Sequence, residues 1–478
     1  MNISLIHPAG SNWMPGKKDV SATANRMAPL GLLSMAAYLE ERGHRVQVLD
    51  CLGPKPPKDA AEAARQVLAS GPELVGLSAT TSGFLDGYDI AAAIKAEQVD
   101  LPIVFGGVHV SALGARLLED FPLIDYLCLG EGEQTLYELA EGHAAADING
   151  LVRRDGESLR TNPPRRHLAD LDSLPFPAYE KLLGFPGRYH LPLFSYVHTP
   201  GATMITSRGC PYQCSYCDRS VFHQGYRANS AAYIYEHIRY LRRRFGVRHI
   251  NIYDDLFTLN RPRIETLCTM LAERPLGVQF NCAVRVGHAD PELLGLLKRA
   301  GCLMVSLGIE SGEPALLDVH KPGVYLETVR ETVARIQQAG LRVKGLFMLG
   351  LPGESVASAR KTSDFALSLG LDDMNMAKFT PFHGAPIWRD IATLGEFKED
   401  WRLMNCLNFV FLPRDIDSWE SLDLLYNTHV KRFYSDAAWR RRFRSRLWQH
   451  RHSLYRLVRH LPDFLMAMRA FEPKENKQ

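Results

Sequence analysis

The 478-residue sequence predicts an α/β protein: a doubly wound parallel-sheet domain, then a partly open β/α barrel, then a helical tail. Three observations lead there. Short apolar runs alternate with amphipathic helical stretches from residue 3 onward. The alternation breaks in a Pro- and Arg-rich stretch, and it resumes at Ala202 with six further repeats. Length alone argues for more than one core.

In the first series ISLIHP reads as a strand, LGLLSMAAYLEERG as a helix stopped by Gly43, and RVQVLDC as a strand. A helix near 59–69, the strand ELVGLSAT, a helix near 85–97, the strands PIVFGG and IDYLCLG, and a helix from Glu133 follow. Five short apolar strands separated by helices imply a parallel sheet covered on both faces, with ligands at the strands' carboxyl ends. The first domain is therefore 1–142. Residues 143–200 read as a connector, with a small hairpin at 151–161. The second series, 201–395, has the strands ATMITS, HINIYDD, VQFNCAV, LMVSLGIE, RVKGLFMLG and DMNMAKF. Six β/α repeats suit a partial barrel, whose active site lies at the strand carboxyl ends. Residues 396–478 form a closing, largely helical region.

Composition is that of a globular protein, 46% hydrophobic and 23% charged, with no apolar run near the ~20 residues of a membrane span. The start, MNISLIHPAG, lacks a basic region followed by an apolar stretch. A cytoplasmic location is expected, and thiols there stay reduced. Residues 431–460 hold ten Lys/Arg against Asp436 alone, +9; since the whole chain is +3, the remainder is −6. This is a basic tail, not a basic body, so no nucleic-acid partner is expected. A basic amphipathic helix can lie on an anionic membrane, which would make the protein peripheral. The commoner arrangement, and the expected one, is a helix packed on the barrel with its arginines toward solvent.

Six of the nine cysteines (Cys51, Cys128, Cys268, Cys282, Cys302 and Cys406) stand singly in apolar or helical contexts and read as small buried hydrophobes. Cys210, Cys214 and Cys217 fall within eight residues, in SRGCPYQCSYCDRS, directly after the first barrel strand. Three thiolates can hold three irons of a cubane cluster, leaving the fourth free to chelate a small molecule. Structural zinc prefers four protein ligands, and the nearest extra donor, His223, is six residues on.

This C-x3-C-x2-C spacing, with Tyr216 before the last cysteine, resembles the radical S-adenosylmethionine superfamily. The resemblance implies a [4Fe–4S] cluster on Cys210, Cys214 and Cys217 that binds and cleaves S-adenosylmethionine to a 5′-deoxyadenosyl radical. It also implies an external electron donor such as flavodoxin or ferredoxin. Asp254 and Asp255 stand where the superfamily has a Gly-Gly-Glu segment meeting the methionine amine. Glu310, in SLGIESG, stands where a polar group contacts the ribose. Gly345, Gly350 and Glu354, in GLFMLGLPGES, resemble the adenine-contacting strand. Arg285, ending the third strand, is a candidate for a carboxylate, with a structural ion pair as the alternative.

The ordered segments PLGLLSMAAYLEERGHRVQVLD, VGLSATT, VFGGVHVSA and LCLGEGEQTLYEL, followed by the cysteine loop, resemble the cobalamin-binding class of that superfamily over roughly residues 1–395. At the sheet edge Ser78, Thr80 and Thr81 offer hydroxyls, and Gly106, Gly107, Gly130 and Gly132 let backbone approach a large ligand. No Asp-x-His-x-x-Gly pattern is present. His109 is the nearest histidine, a candidate cofactor contact, and the expectation is cobalamin held without a histidine on cobalt. GxGxxG is also absent, which disfavours a dinucleotide.

Within that class the expected reaction is methylation of an unactivated carbon of a small molecule (lipid-like, porphyrin-like or a natural-product intermediate). The alternative is radical cyclisation or rearrangement like that of the anaerobic porphyrin ring cyclase. A corrinoid-binding regulator with a purely structural cluster is disfavoured by the intact cysteine triad together with Glu310.

Overall fold

The computed structural model describes residues 1–10 and 25–462. Five parallel strands, β1 (Asn2–His7), β2 (Arg45–Asp50), β3 (Leu74–Ser78), β4 (Ile103–Gly106) and β5 (Tyr126–Cys128), run in the order β2-β1-β3-β4-β5. The order reverses at β1, so a crevice opens between the carboxyl ends of β1 and β3. Helices Ala60–Leu68 and Phe84–Glu97 cover one face through Ala63, Val67, Ile90 and Ala91. Helices Leu30–Glu41 and Glu133–Ala140 cover the other through Leu32, Ala36, Leu39 and Leu136. Each such side chain, fully buried, contributes roughly 1.5–3 kcal/mol for the larger aliphatics. Beyond β5 the sheet continues antiparallel through β6 (Leu151–Asp155) and β7 (Ser158–Thr161), a hairpin that sequence reading placed in the connector.

The connector stitches both halves together. The buried Tyr179 hydroxyl donates to the Thr203 carbonyl at 3.0 Å, and Tyr189 donates to Asp50 at the end of β2 at 2.8 Å.

The barrel begins with β8 (Gly201–Met204), which passes into a two-residue strand β9 (Ser207–Arg208) paired antiparallel with β10 (Arg227–Ala228). Then come β11 (His249–Ile252), β12 (Gln279–Val284), β13 (Cys302–Glu310), β14 (Arg342–Leu349) and β15 (Asp373–Lys378). The six strands β8, β11, β12, β13, β14 and β15 are parallel neighbours in chain order, and β15 does not close on β8. This is the expected partial barrel. Ser230, Asn260, Asp290 and Ser355 cap the helices that follow, each accepting a backbone N–H two or three residues inside its helix. The helices bury Ile234, Leu267, Leu294, Val333 and Phe365 against the strands.

After β15 come a small ladder of β16 (Gly395–Phe397) with β17 (Phe411–Pro413) and the helix Trp419–Ser435, which lies along helix Val356–Ser368. Helices Ala437–Ser445 and Arg451–Arg459 then pass beneath the amino ends of the strands. There Arg446 pairs with Asp372, and Arg342 meets His450 at 3.1 Å. The tail packs on the barrel with Arg440, Arg441, Arg444, Arg451 and Arg459 toward solvent; its inward contacts mix Trp439 and Phe443 with buried polar groups, and Trp448, Tyr455 and Val458 also face outward. No helix among the described residues is long and apolar enough to cross a membrane. Of the six isolated cysteines five are buried; Cys406 is half-buried, in a positive-φ turn.

Candidate active site

The cysteine loop, 209–226, is pinned at its base by the β9–β10 pair. Gly209 has φ +82°, and a Cβ there would lie 2.0 Å from the Gly225 carbonyl oxygen, so only glycine closes the loop. Cys210 and Cys214 are half-buried and Cys217 is exposed; all are free thiols. They share one electrostatic environment. Burial raises the Cys210 thiol; the Tyr212 backbone and Arg285 oppose the rise, while Asp255 and Cys214 add to it. Burial, Asp255 and the other two thiols push Cys217 up to about 12. Three thiols and a carboxylate facing one another are electrostatically unfavourable as anions unless a cationic centre binds them, which fits an iron–sulfur cluster. Among the described residues no three His, Cys, Asp or Glu side chains converge closely enough for a single metal ion. A cubane takes each thiolate at a separate iron, so its ligands are spaced more widely.

Two partners sequence reading missed hold the loop. The Ser215 hydroxyl donates to His320 Nδ1 at 2.7 Å, Ser215 N donates to the His320 carbonyl at 3.0 Å, and His320 Nε2 donates to the Pro352 carbonyl at 2.8 Å. Pro352 can only accept, so Nε2 carries the proton, and burial holds this imidazole neutral by lowering its pKa. The next residue, Lys321, donates to Glu310 at 2.7 Å and to the Gly308 carbonyl at 2.8 Å. Glu310 sits at φ +67° on a bulge in β13, a conformation costing a non-glycine residue about 1 kcal/mol or more. Tyr216 is half-buried near Glu310 and Cys214, and burial together with these two neighbours holds the pKa of its hydroxyl well above the usual range. The end of helix Pro314–His320 thus braces the cysteine loop from two sides.

The structure separates the two aspartates. Asp254, 4% exposed, accepts from Thr206 N at 2.5 Å, Thr206 Oγ1 at 2.6 Å and Ser207 N at 3.2 Å. Its oxygens accept from the β8–β9 turn, so its structural role there is established by these bonds. Asp255 faces the thiols; the protein around its carboxylate, and Asp254 next to it, raise its pKa. At Gly345 a Cβ would strike Leu371 at 2.6 Å and Phe347 at 2.7 Å, so its bareness serves packing. Gly350, at φ +91°, makes the turn leaving β14 and donates its N–H to Glu354 at 2.5 Å. Full burial pushes the Glu354 carboxyl up to about 8. Arg285 lies 3.5 Å over the Tyr212 ring and donates to the Pro322 carbonyl, bracing the loop between the first two cysteines.

At the carboxyl edge of the first sheet a cleft of about 1290 Å³, open mouth included, is rimmed by Ser78, Gly106, Gly107 and Gly130. It runs down the sheet face because Gly76, mid-β3, is bare; a Cβ there would come 2.9 Å from Leu5 Cδ2. Leu32, Met35 and Leu136 wall one side, and Val221 and Phe222 of the cysteine loop reach the other. A long, apolar, glycine-floored slot beside the cysteine loop fits the nucleotide arm of a corrinoid. Thr80 is exposed and outside this lining. His109 lies away from this lining, inside the fold. It is 1% exposed, bonded to Thr81 at 3.2 Å and packed among Phe84, His383 and Trp401, and burial lowers its pKa to about 3.

Cleft and cysteine loop meet through charges that sequence reading passed over. Arg208, in β9, donates to Glu131 and Glu133 at 2.6 Å each, and Arg227, in β10, donates to Glu131 at 2.9 Å. Burial alone would raise Glu131, but the two arginines and the Leu168 N–H hold it below the usual carboxylate range. The only sequence signal was the doubled acid of GEGE.

Comparison with known proteins gives two family matches: the radical SAM superfamily over residues 204–366 and a B12 binding domain over residues 16–140. An uncharacterized methyltransferase, PH0819, of Pyrococcus horikoshii is 28% identical over 91% of this chain and 92% of its own. An anaerobic magnesium-protoporphyrin IX monomethyl ester cyclase of Rubrivivax gelatinosus is 25% identical over 92% of this chain and 78% of its own. The fold matches the radical S-adenosylmethionine methyltransferase TsrM of Kitasatospora setae, solved with cobalamin and a [4Fe–4S] cluster. That match has a TM-score of 0.69 and 19% identity, over 91% of this chain and 89% of that one.

Proposed function

The chain is a cobalamin-binding radical S-adenosylmethionine enzyme, and we propose that it methylates an unactivated carbon of a small molecule in the gap between its two halves. The observation that carries this reading is the seam itself. The cleft that suits a corrinoid and the loop that suits the cluster are tied by Arg208 and Glu131, and Val221 and Phe222 of that loop line the cleft. Methyltransferase PH0819 aligns with the chain almost end to end, which supports the same reading.

In this reading Cys210, Cys214 and Cys217 hold the cluster, with Asp255 and Glu310 at the mouth as partners for the amine and ribose of S-adenosylmethionine. Bound together, the cofactors supply a carbon radical and a transferable methyl group. The chain's own residues orient and exclude. Tyr216 and Lys321 fix Glu310, Ser215 and His320 fix the loop between Cys214 and Cys217, and the glycine rim admits the corrinoid edge. Ser78, Gly106, Gly107 and Gly130 form that rim. A reduced flavodoxin or ferredoxin would meet the exposed Cys217 side.

The second reading, radical cyclisation or rearrangement without net methylation, is favoured by one observation: the anaerobic cyclase aligns over 92% of this chain. Product analysis separates the two. Anaerobic, cobalamin-loaded enzyme given S-adenosylmethionine deuterated at its methyl group should form S-adenosylhomocysteine in step with 5′-deoxyadenosine and pass the label to its substrate. 5′-Deoxyadenosine without S-adenosylhomocysteine would favour cyclisation.

A further inference from the structure

The tail helix Arg451–Arg459 is turned inside out relative to an ordinary surface helix. Facing the end of the connector are Ser453, whose hydroxyl accepts the Phe194 N–H at 3.0 Å, and Arg456, which donates to the Leu191 carbonyl and the Tyr196 hydroxyl at 3.0 Å each. Facing away are Tyr455, 67% exposed, and Val458, 68% exposed; Trp448, in the preceding turn, is 79% exposed. Tyr455 and Val458 are three residues apart and share one side, and the exposed Arg451 and Arg459, each four residues from Tyr455, flank them. Single exposed apolar side chains are ordinary on a protein surface. A phenol and an isopropyl group on one basic helical face, with a largely exposed indole in the turn just before it, are not.

The charge around this surface is one-sided. From Ala437 to Arg459 the sequence has eight arginines and no acid. Beside it a cleft of about 1040 Å³ separates the tail from the barrel. Lys298, Arg342, Arg442 and Arg446 line it against a single carboxylate, Asp372. Arg446 takes that carboxylate, and Arg442 Nε has no hydrogen-bond partner among the described residues. The cleft is therefore cationic and suited to an anionic head group.

We propose that this surface docks on an anionic lipid bilayer. Trp448, Tyr455 and Val458 enter the interface between head groups and acyl chains, Arg451 and Arg459 meet phosphates, and the basic cleft receives a head group. The surface lies at the amino end of β14, where Arg342 begins that strand, so docking leaves the cysteine loop at the opposite end open to solution. The alternative occupants are the chain's own residues 463–478, which lie outside the described residues, and a second copy.

Flotation of the full-length protein with vesicles tests this directly. Vesicles of phosphatidylcholine containing phosphatidylglycerol should carry the protein at low salt, and pure phosphatidylcholine should not. The Trp448 contribution to fluorescence, taken as the difference from Trp448→Phe, should shift to the blue on binding. The variants Trp448→Ser/Tyr455→Ser/Val458→Ser and Arg451→Glu/Arg459→Glu should each lower the bound fraction about tenfold while circular dichroism shows an unchanged fold. Absence of flotation at low salt, or flotation indifferent to both variants, overturns the proposal. So does a dimer that the triple variant abolishes, or a red shift of Trp448 emission in lipid-free protein on removing residues 463–478.

Discussion

Arg208 meets Glu131 at 2.6 Å across the seam between the first sheet and the barrel, and this pair ties the rim of the glycine-edged cleft to the base of the cysteine loop. Arg208 stands two residues before Cys210, and Glu131 stands one residue after Gly130 on the cleft rim.

Arg208→Met leaves Glu133 unpaired and Glu131 dependent on Arg227. Breaking a buried pair costs about 3–5 kcal/mol, and a loss near the lower end is expected because Arg227 remains. Chemical denaturation should show that loss, and cobalamin retention on gel filtration should fall with it. Wild-type retention in Arg208→Met would refute the coupling.

The same seam has a pH signature. Glu131 titrates below its ordinary value near 4.5 in the folded protein. Its contribution is therefore complete above that ordinary value and is lost as pH falls through the lower, folded one. Thermal stability between pH 6 and pH 3 should fall more steeply in the wild type than in Glu131→Gln, which has no such proton to take up.

Glu354 titrates the other way. Its folded pKa is raised to about 8 by burial, so its neutral form is the stable one, and stability drains as pH rises from the ordinary carboxylate value toward 8. Glu354→Gln keeps the shape without the titration. It should match the wild type at pH 5 and exceed its melting temperature at pH 8; equal slopes in both proteins would exclude this origin.

Gly209→Ala places a Cβ against the Gly225 carbonyl at a positive φ, a strain of about 1–3 kcal/mol before the clash is counted. The expected result is a folded protein whose cysteine loop cannot close. Circular dichroism should be unchanged while reconstituted iron and sulfide fall several-fold. Ser215→Ala removes one hydrogen bond worth about 1 kcal/mol and should lower cluster content only modestly.

Much of this architecture was legible in the sequence because periodicity reports burial. The six barrel strands and five parallel strands of the first domain all announce themselves as apolar runs between amphipathic helices. The hairpin Leu151–Thr161 was visible as a hairpin but not as a sheet extension, since its pairing with β5 depends on contacts far apart in sequence. Asp254 and Asp255 are adjacent and chemically alike. Both lie in the loop just past β11, and only the fold of that loop sends one into Thr206 and leaves the other facing the thiols. His109 beside Gly107 looked like a ligand contact, yet its imidazole turns into Trp401, some 290 residues later in the chain. Arg208, His320 and Lys321 act through partners 75 or more, 105 and 11 residues away respectively, and no local motif marks them.

The measurement that bears most directly on the central claim is 5′-deoxyadenosine production by anaerobically reconstituted enzyme given S-adenosylmethionine and dithionite. The expected result is 5′-deoxyadenosine from the wild type and none from Cys210→Ala, Cys214→Ala or Cys217→Ala, each still folded. A wild-type protein that carries its cluster and forms no 5′-deoxyadenosine would contradict the account, as would undiminished formation in any of the three variants.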